Sequence, residues 1–219
     1  MKYKALVLDH DDTSVKSTPE IHYPAFLKTL ELLRPGEKLS LGEFMKYNFD
    51  IGFLSMCLDV YHLNEEEMKT EVDIWRDYTN THIPDFYDGI DEVIRRQKQD
   101  GGVFCVVSHS FSDMILRDYK YHGLPTPDMT LGWELEEKLR KPSPYPIEQI
   151  MKKYSLLPSE IAVIDDMKPG YDMAKACGVP FACAGWSDNQ IPVVREYMQK
   201  YCDYYVKTTA ELEKILYKD

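Results

Sequence analysis

The chain has 219 residues, 44% of them hydrophobic, enough for one large domain or a domain carrying an insertion, with a core to bury. A net charge of −11 argues against a nucleic-acid or membrane-surface partner, but not against an anionic substrate held through a divalent cation. The five cysteines (Cys57, Cys105, Cys177, Cys183, Cys202) are odd in number and lack CxxC pairing, no signal peptide is visible and no apolar stretch is long enough to span a bilayer, so reduced thiols in a cytoplasmic protein are expected.

Ala5 to Leu8 is a short unbroken apolar run, which predicts a strand buried on both faces. Asp9, Asp11 and Asp12 follow at once. Such a strand delivers its acids where an open α/β sheet places a site. From Thr13 to about Asp85 the pattern is helical. Thr18-Pro19 or Tyr23-Pro24 opens a first helix, whose apolar face is Phe26, Leu27, Leu30 and Leu33. Ser40 and Glu43 form a capping box, Ile51 to Val60 is a further helical piece, and Asn64 caps a helix with Met68, Val72, Trp75 and Thr79 along one stripe. Residues 17–84 therefore read as a small all-helical insert, placed to act as a lid. Residues 1–16 and 85–219 form the core.

Alternation resumes after Pro84. A helix with Ile90, Val93 and Ile94 leads to a strand at Val103 to Val107 ending in Ser108-His109-Ser110. Ser112 is expected to cap the next helix, and Met129 to Trp133 to form a short strand. Lys141-Pro142-Ser143-Pro144 precedes a helix, and Ile161 to Ile164 is a strand ending in Asp165-Asp166. A helix carrying Met173 and Ala174 follows, then weaker strands at Pro180 to Ala184 and Tyr204 to Val206, and a final helix capped by Thr208. Strands alternating with helices imply a mostly parallel sheet covered on both faces.

Three strand ends carry polar groups, and Lys141 precedes the last by one helix. Alone, each has a structural explanation: an acidic turn, a loop serine, a solvated lysine, a helix-capping acid. Together they supply a nucleophile, an acid/base, a hydroxyl donor, a cation and metal ligands, which phosphoryl transfer requires.

These residues resemble the four motifs of the haloacid dehalogenase-like hydrolases. Asp9-His10-Asp11-Asp12-Thr13 resembles DxDGT, Val106-Val107-Ser108 the apolar run ending in Ser or Thr, and Lys141-Pro142 the Lys commonly followed by Pro. Asp165-Asp166-Met167-Lys168-Pro169-Gly170 resembles the acidic fourth motif. The insert resembles the small helical cap of the phosphoglycolate phosphatase and β-phosphoglucomutase-like subgroup. The resemblance implies a Rossmann-like core and an Mg2+-dependent phosphatase acting on a small phosphorylated metabolite. Asp9 would attack phosphorus, and Asp11 would serve as acid and base. Asp9, the Asp11 carbonyl, Asp166 and Asp165 would hold Mg2+, while Ser108 and Lys141 hold the phosphoryl oxygens.

The chain departs from that pattern in places. Asp12 replaces the usual Gly; aspartate tolerates a left-handed backbone better than most residues. Met167 stands where Ser or Thr is common, and Lys16 where a second aspartate is. His10 has no assigned role. His109 is a candidate to face substrate, against a hydrogen-bonded loop histidine. His22 lies one residue out of step with a cap-hinge histidine of β-phosphoglucomutase-like proteins and reads as a surface residue at a helix start. The aromatic residues Tyr23, Phe26, Tyr47, Phe49, Phe53 and Trp75 read as cap core rather than ligand contacts. A phosphomutase and a non-catalytic phosphate-binding protein on the same scaffold are the competing readings. Oligomeric state is not legible.

Overall fold

The computed structural model describes residues 2–217. Its centre is a six-stranded sheet in the order β3-β2-β1-β4-β5-β6, every neighbouring pair parallel. The strands are β1 (Ala5–Leu8), β2 (Val103–Val107), β3 (Met129–Leu131), β4 (Ile161–Asp165), β5 (Phe181–Ala184) and β6 (Tyr204–Val206). β1 lies between β2 and β4 and is buried along its whole length, which is why its run shows no alternation of polarity.

Successive side chains still point to opposite faces. Leu6, Leu8, Phe104, Val106 and Ile164 pack beneath α5 (Ile90–Gln99), α6 (Ser112–Tyr121) and α10 (Thr209–Leu216). Ala5, Val7, Cys105, Val107 and Val163 pack beneath α7 (Tyr145–Tyr154), α8 (Lys168–Ala176) and α9 (Pro192–Tyr201). Each fully buried aliphatic or aromatic side chain contributes about 1.5–3 kcal/mol by leaving water. The sheet is thus covered on both faces, as expected.

Helix α9 has no counterpart among the expected elements. Pro192 opens it, and Val194 and Met198 supply its buried positions. Its N-cap Ile191 makes no side-chain capping bond and its first turn carries no acid, so Pro192 is its one start signal. Ser112 is not the cap of α6. Phe111 is, without a side-chain bond, and the Ser112 hydroxyl instead donates to Glu134 at 2.9 Å.

Between β1 and α5 the chain forms α1 (Tyr23–Leu33), α2 (Leu41–Asp50), the short α3 (Phe53–Ser55) with a π-helical turn Met56–Val60, and α4 (Glu65–Thr81). The capping boxes at Ser40/Glu43 and Asn64/Glu67 are present. These helices have their own core around Phe26, Phe44, Met56 and Tyr61. Phe26 sits 5.5–5.8 Å, centroid to centroid, from the rings of Phe44, Phe53 and Tyr61. Two expected members face elsewhere. Phe49 packs on Tyr197 of α9, and Trp75 on Phe111. On α4 the buried positions are Glu71 and Thr79, while Val72 is exposed. The two connections lie side by side: Val15 bridges Phe86, and the Lys16 amide donates to the Asp85 carbonyl. Among the described residues no helix is long and apolar enough to cross a membrane, and all five cysteines are free.

Candidate active site

Parallel strands share one direction, so the carboxyl ends of β1, β2 and β4 open on one edge. There the structure brings Asp9, Asp11, Ser108, Lys141, Asp165 and Asp166 together. Carboxylate oxygens of Asp9, Asp165 and Asp166 lie within 4.8 Å of one another, all three residues buried. The Lys141 ammonium, also buried, lies 2.7 Å from Asp165 Oδ2 and 2.8 Å from Asp9 Oδ1. The Asp9 contact is an ion pair without hydrogen-bond alignment, so Oδ1 has no aligned donor. Burial pushes the Asp9 carboxyl well up, with Asp165 and Asp11 adding repulsion and Lys141 opposing. Asp166 is likewise raised, first by burial, then by Asp165, Asp12 and Asp9. Burial lowers Lys141, but Asp165 and Asp9 outweigh it and hold the lysine charged.

Hydrogen bonds fix the acids. Asp165 Oδ1 accepts from the Met167 amide at 2.8 Å. Gly170, in the first turn of α8, is needed because a Cβ there would overlap the Asp165 carboxylate. Asp166 accepts from Thr13 Oγ1 at 3.3 Å, Ser187 Oγ at 3.1 Å and Asn189 Nδ2 at 3.1 Å. The Asp9 carbonyl accepts from Ser14 Oγ at 2.7 Å.

Asp11 is surrounded by donors. Ser108 Oγ and Ser110 Oγ donate to Oδ2 at 3.0 and 2.6 Å, and His22 Nε2 lies 3.1 Å from Oδ1. Burial raises this carboxyl, but His22, His10 and Ser110 more than reverse it and hold Asp11 well below the usual carboxylate range. His22 is therefore a site residue, not a surface residue. The turn Thr18–His22 is π-helical, with the Tyr23 amide donating to the Thr18 carbonyl. A π turn holds one residue more than an α turn. Burial lowers His22, while Asp11, Asp12 and Glu71 raise it further, for a net rise. The Trp75 indole N–H, 3.0 Å from Nδ1, acts in the opposite sense because only an unprotonated nitrogen accepts it.

Asp12 adopts the left-handed backbone with φ +56°, as its replacement of glycine requires. Its carboxylate accepts from the Thr18 amide at 3.0 Å, the Thr18 hydroxyl and Asn189 Nδ2 at 2.9 Å, and burial raises its pKa to about 7. His109 is not among the carboxylates. Its Nε2 lies 3.0 Å from the Lys141 carbonyl, and burial plus the Lys141 charge lower its pKa to about 4. His10, buried, pairs with Asp118 at 3.1 Å.

Ser110, Ser187, Asn189 and Gln190 belong to the site without having been singled out. Ser110 follows Ser108 at the same spacing that separates Asp9 from Asp11, and that spacing was a usable signal. The other three lie on the loop after β5, where polar residues carry no distinguishing pattern.

A parallel sheet covered by helices on both faces, with acids at the ends of its central strands, defines an α/β core of the Rossmann-like kind, and residues 7–184 match the family of haloacid dehalogenase-like hydrolases. The chain belongs to that family. It is similar to the solved structure of a predicted phosphoglycolate phosphatase from Haemophilus somnus, with 19% identity, 99% of each chain covered and a TM-score of 0.78. A haloacid dehalogenase-like protein of unknown function from Agrobacterium tumefaciens aligns at 16% identity over 98% of this chain and 97% of that one, with a TM-score of 0.80. CbbY from Rhodobacter sphaeroides in complex with xylulose-(1,5)bisphosphate aligns at 15% identity over 96% of each chain, with a TM-score of 0.74. No curated protein matches the sequence.

Proposed function

We propose that the chain is an Mg2+-dependent phosphatase that hydrolyses a small phosphorylated metabolite through an aspartyl-phosphate on Asp9. The observation that carries this reading is the convergence of the Asp9, Asp165 and Asp166 carboxylates within 4.8 Å, with Lys141 lodged between two of them. The donor set fits a hard divalent cation. It offers buried oxygen ligands only, Asp9 Oδ1 lacks an aligned donor, and the raised Asp9 and Asp166 carboxyls describe a cluster that favours a neutralising cation. Asp9, Asp166 and the Asp11 carbonyl would hold Mg2+, with Asp165 as a further or outer ligand. When bound, the ion supplies positive charge that offsets repulsion between carboxylate and phosphate.

In this reading an Asp9 oxygen forms a bond to phosphorus as the bond to the leaving oxygen breaks, and Asp11, ionised in its resting contacts, takes up a proton brought by the phosphate monoester and passes it to that oxygen. Asp11 then takes a proton from water, which attacks the phosphoryl group, frees phosphate and restores Asp9. Ser108 and Lys141 would hold the phosphoryl oxygens. At present Ser108 donates to Asp11, and Lys141 pairs with Asp9 and Asp165, so an arriving phosphoryl group exchanges for carboxylate partners. The helical insert, residues 17–84, acts as a cap on the core formed by 1–16 and 85–219, setting substrate choice and excluding water. Reduced cysteines and the acidic balance suit a cytoplasmic location.

The contact of His22 with Asp11 favours a second reading, a sugar phosphomutase of the β-phosphoglucomutase type. A non-catalytic phosphate binder has less support. Asp12, its best argument, is engaged by Thr18 and Asn189 and leaves the catalytic set complete.

Phosphate release from an aryl phosphate, sugar phosphates and phosphorylated two-carbon acids, with and without Mg2+, tests the reading. Release that requires Mg2+ and vanishes in Asp9→Asn supports a phosphatase. Interconversion of sugar phosphates with little free phosphate favours the mutase. Mg2+ binding with neither reaction favours the binder.

A further inference from the structure

We infer that Asn189, on the loop between β5 and α9, is a positioning residue that ties one oxygen of Asp166 back to Asp12 and so presents the other to the cation. The inference deepens the proposed function and rests on it for the assignment of Asp166 to the ion. Its physical basis is the donor inventory of a primary amide, whose nitrogen carries two N–H groups. Asn189 Nδ2 lies 3.1 Å from Asp166 Oδ2 and 2.9 Å from Asp12 Oδ2, so it gives one N–H to each acid. The two oxygens of Asp166 are held unequally. Oδ2 accepts from Asn189 and from the Ser187 hydroxyl at 3.1 Å, which fills both of its lone pairs. Among the described residues Oδ1 has only the Thr13 hydroxyl, at 3.3 Å, longer than an ordinary bond between oxygens. Oδ1 is therefore the oxygen with capacity left for a ligand.

The bracket holds because both of its ends are fixed. Asp12 is anchored by the Thr18 amide at 3.0 Å and by the Thr18 hydroxyl, at the first turn of the insert. The loop that carries Asn189 is pinned to the core. The Trp186 indole N–H donates to the Thr13 carbonyl at 3.0 Å, Gln190 Nε2 to the Asp166 carbonyl at 2.9 Å, and the Tyr87 hydroxyl to the Asp188 carboxylate at 2.8 Å. The Asn189 amide itself donates to Ser187 Oγ at 3.1 Å, which joins the two donors to Asp166. Met167, next to Asp166 in the chain, has no side-chain N–H or O–H to offer, so the loop is the main support of this acid. A ligand held by such outer partners keeps its orientation when the ion arrives.

Two variants test the bracket. Asn189→Ala removes the amide, and Asn189→Leu removes its N–H groups while keeping nearly the same volume. Calorimetric titration of the full chain with Mg2+, without substrate, reads the affinity directly. Both variants should raise the Mg2+ dissociation constant by about tenfold or more. In aryl-phosphate kinetics the apparent Mg2+ constant should rise by the same factor, and the activity lost at limiting Mg2+ should return as Mg2+ is raised. A purely structural role would give a loss that added Mg2+ does not restore. A dissociation constant that is unchanged, or that falls because freeing Asp166 helps it bind, overturns the inference. So does lost activity with an unchanged constant. The titration needs no turnover. A wild type that binds Mg2+, loses affinity in both variants and releases no phosphate would count against the phosphatase and support the role of Asn189. A wild type that binds no Mg2+ would overturn both.

Discussion

Asp12 puts a side chain where the backbone favours none. Its φ of +56° suits glycine, yet its carboxylate collects the Thr18 amide, the Thr18 hydroxyl and the Asn189 amide group. Substitutions separate strain from bonding. Asp12→Gly loses the bonds and relieves the backbone; Asp12→Ala loses the same bonds and keeps a Cβ. The alanine variant should be less stable than the glycine variant by about 1 kcal/mol in denaturant unfolding. Equal stabilities would mean that the left-handed turn carries no cost. The turn was legible in the sequence because aspartate tolerates it. The partner on Asn189 was not, because it lies 177 residues away on a loop without periodicity. His22 shows the same limit. Its spacing from the first motif is one residue out of step with the family's hinge histidine, and its contact with Asp11 shows only in the folded π-helical turn that carries it.

Helix α4 was legible as an element from its Asn64 cap and first-turn acids, but its buried face was not. The expected stripe included Val72, whereas Glu71 is the buried neighbour, a choice that hydrophobicity alone does not make. Burial raises the Glu71 carboxyl to about 7, partly offset by His22. The sign of its effect on stability follows. Between its unfolded value and about 7 the folded chain holds a proton that the unfolded chain has released, so stability falls as pH rises through that window. Glu71→Gln removes the penalty. Its stability gain, measured by urea unfolding, should be about 2–3 kcal/mol larger at pH ~8 than at pH ~5. A gain independent of pH would show that Glu71 titrates normally. Helix α9 had only Pro192 to announce it, with no side-chain cap and no first-turn acid, yet it buries Val194 and Met198 against the sheet.

For the whole molecule, the fold was legible because each central strand is an apolar run ending in a polar group. That pattern marks β1, β2 and β4 as buried strands; that they are parallel neighbours with their ends on one edge is seen in the structure. The acids Asp9, Asp165 and Asp166 could be expected to meet there, since parallel strands share a direction. The pairing of Asp9 and Asp165 with Lys141 required the side chains themselves. Lys141→Met should leave the Asp9 and Asp165 carboxylates buried without their cation, at a cost of about 3–5 kcal/mol. Saturating Mg2+ should recover part of that loss in a thermal unfolding series, because a ligand that binds only the folded chain stabilises it. No recovery would argue that the acids do not hold the ion.

The proposed phosphatase chemistry depends on Asp9 as the nucleophile. The most direct measurement is to mix the protein with Mg2+ and a labelled phosphoryl donor, quench in acid, and map the label by peptide mass spectrometry. The account predicts phosphate on the peptide containing Asp9, lost in base, absent without Mg2+ and absent in Asp9→Asn. Turnover with no label at Asp9, or equal turnover by Asp9→Asn, would contradict it.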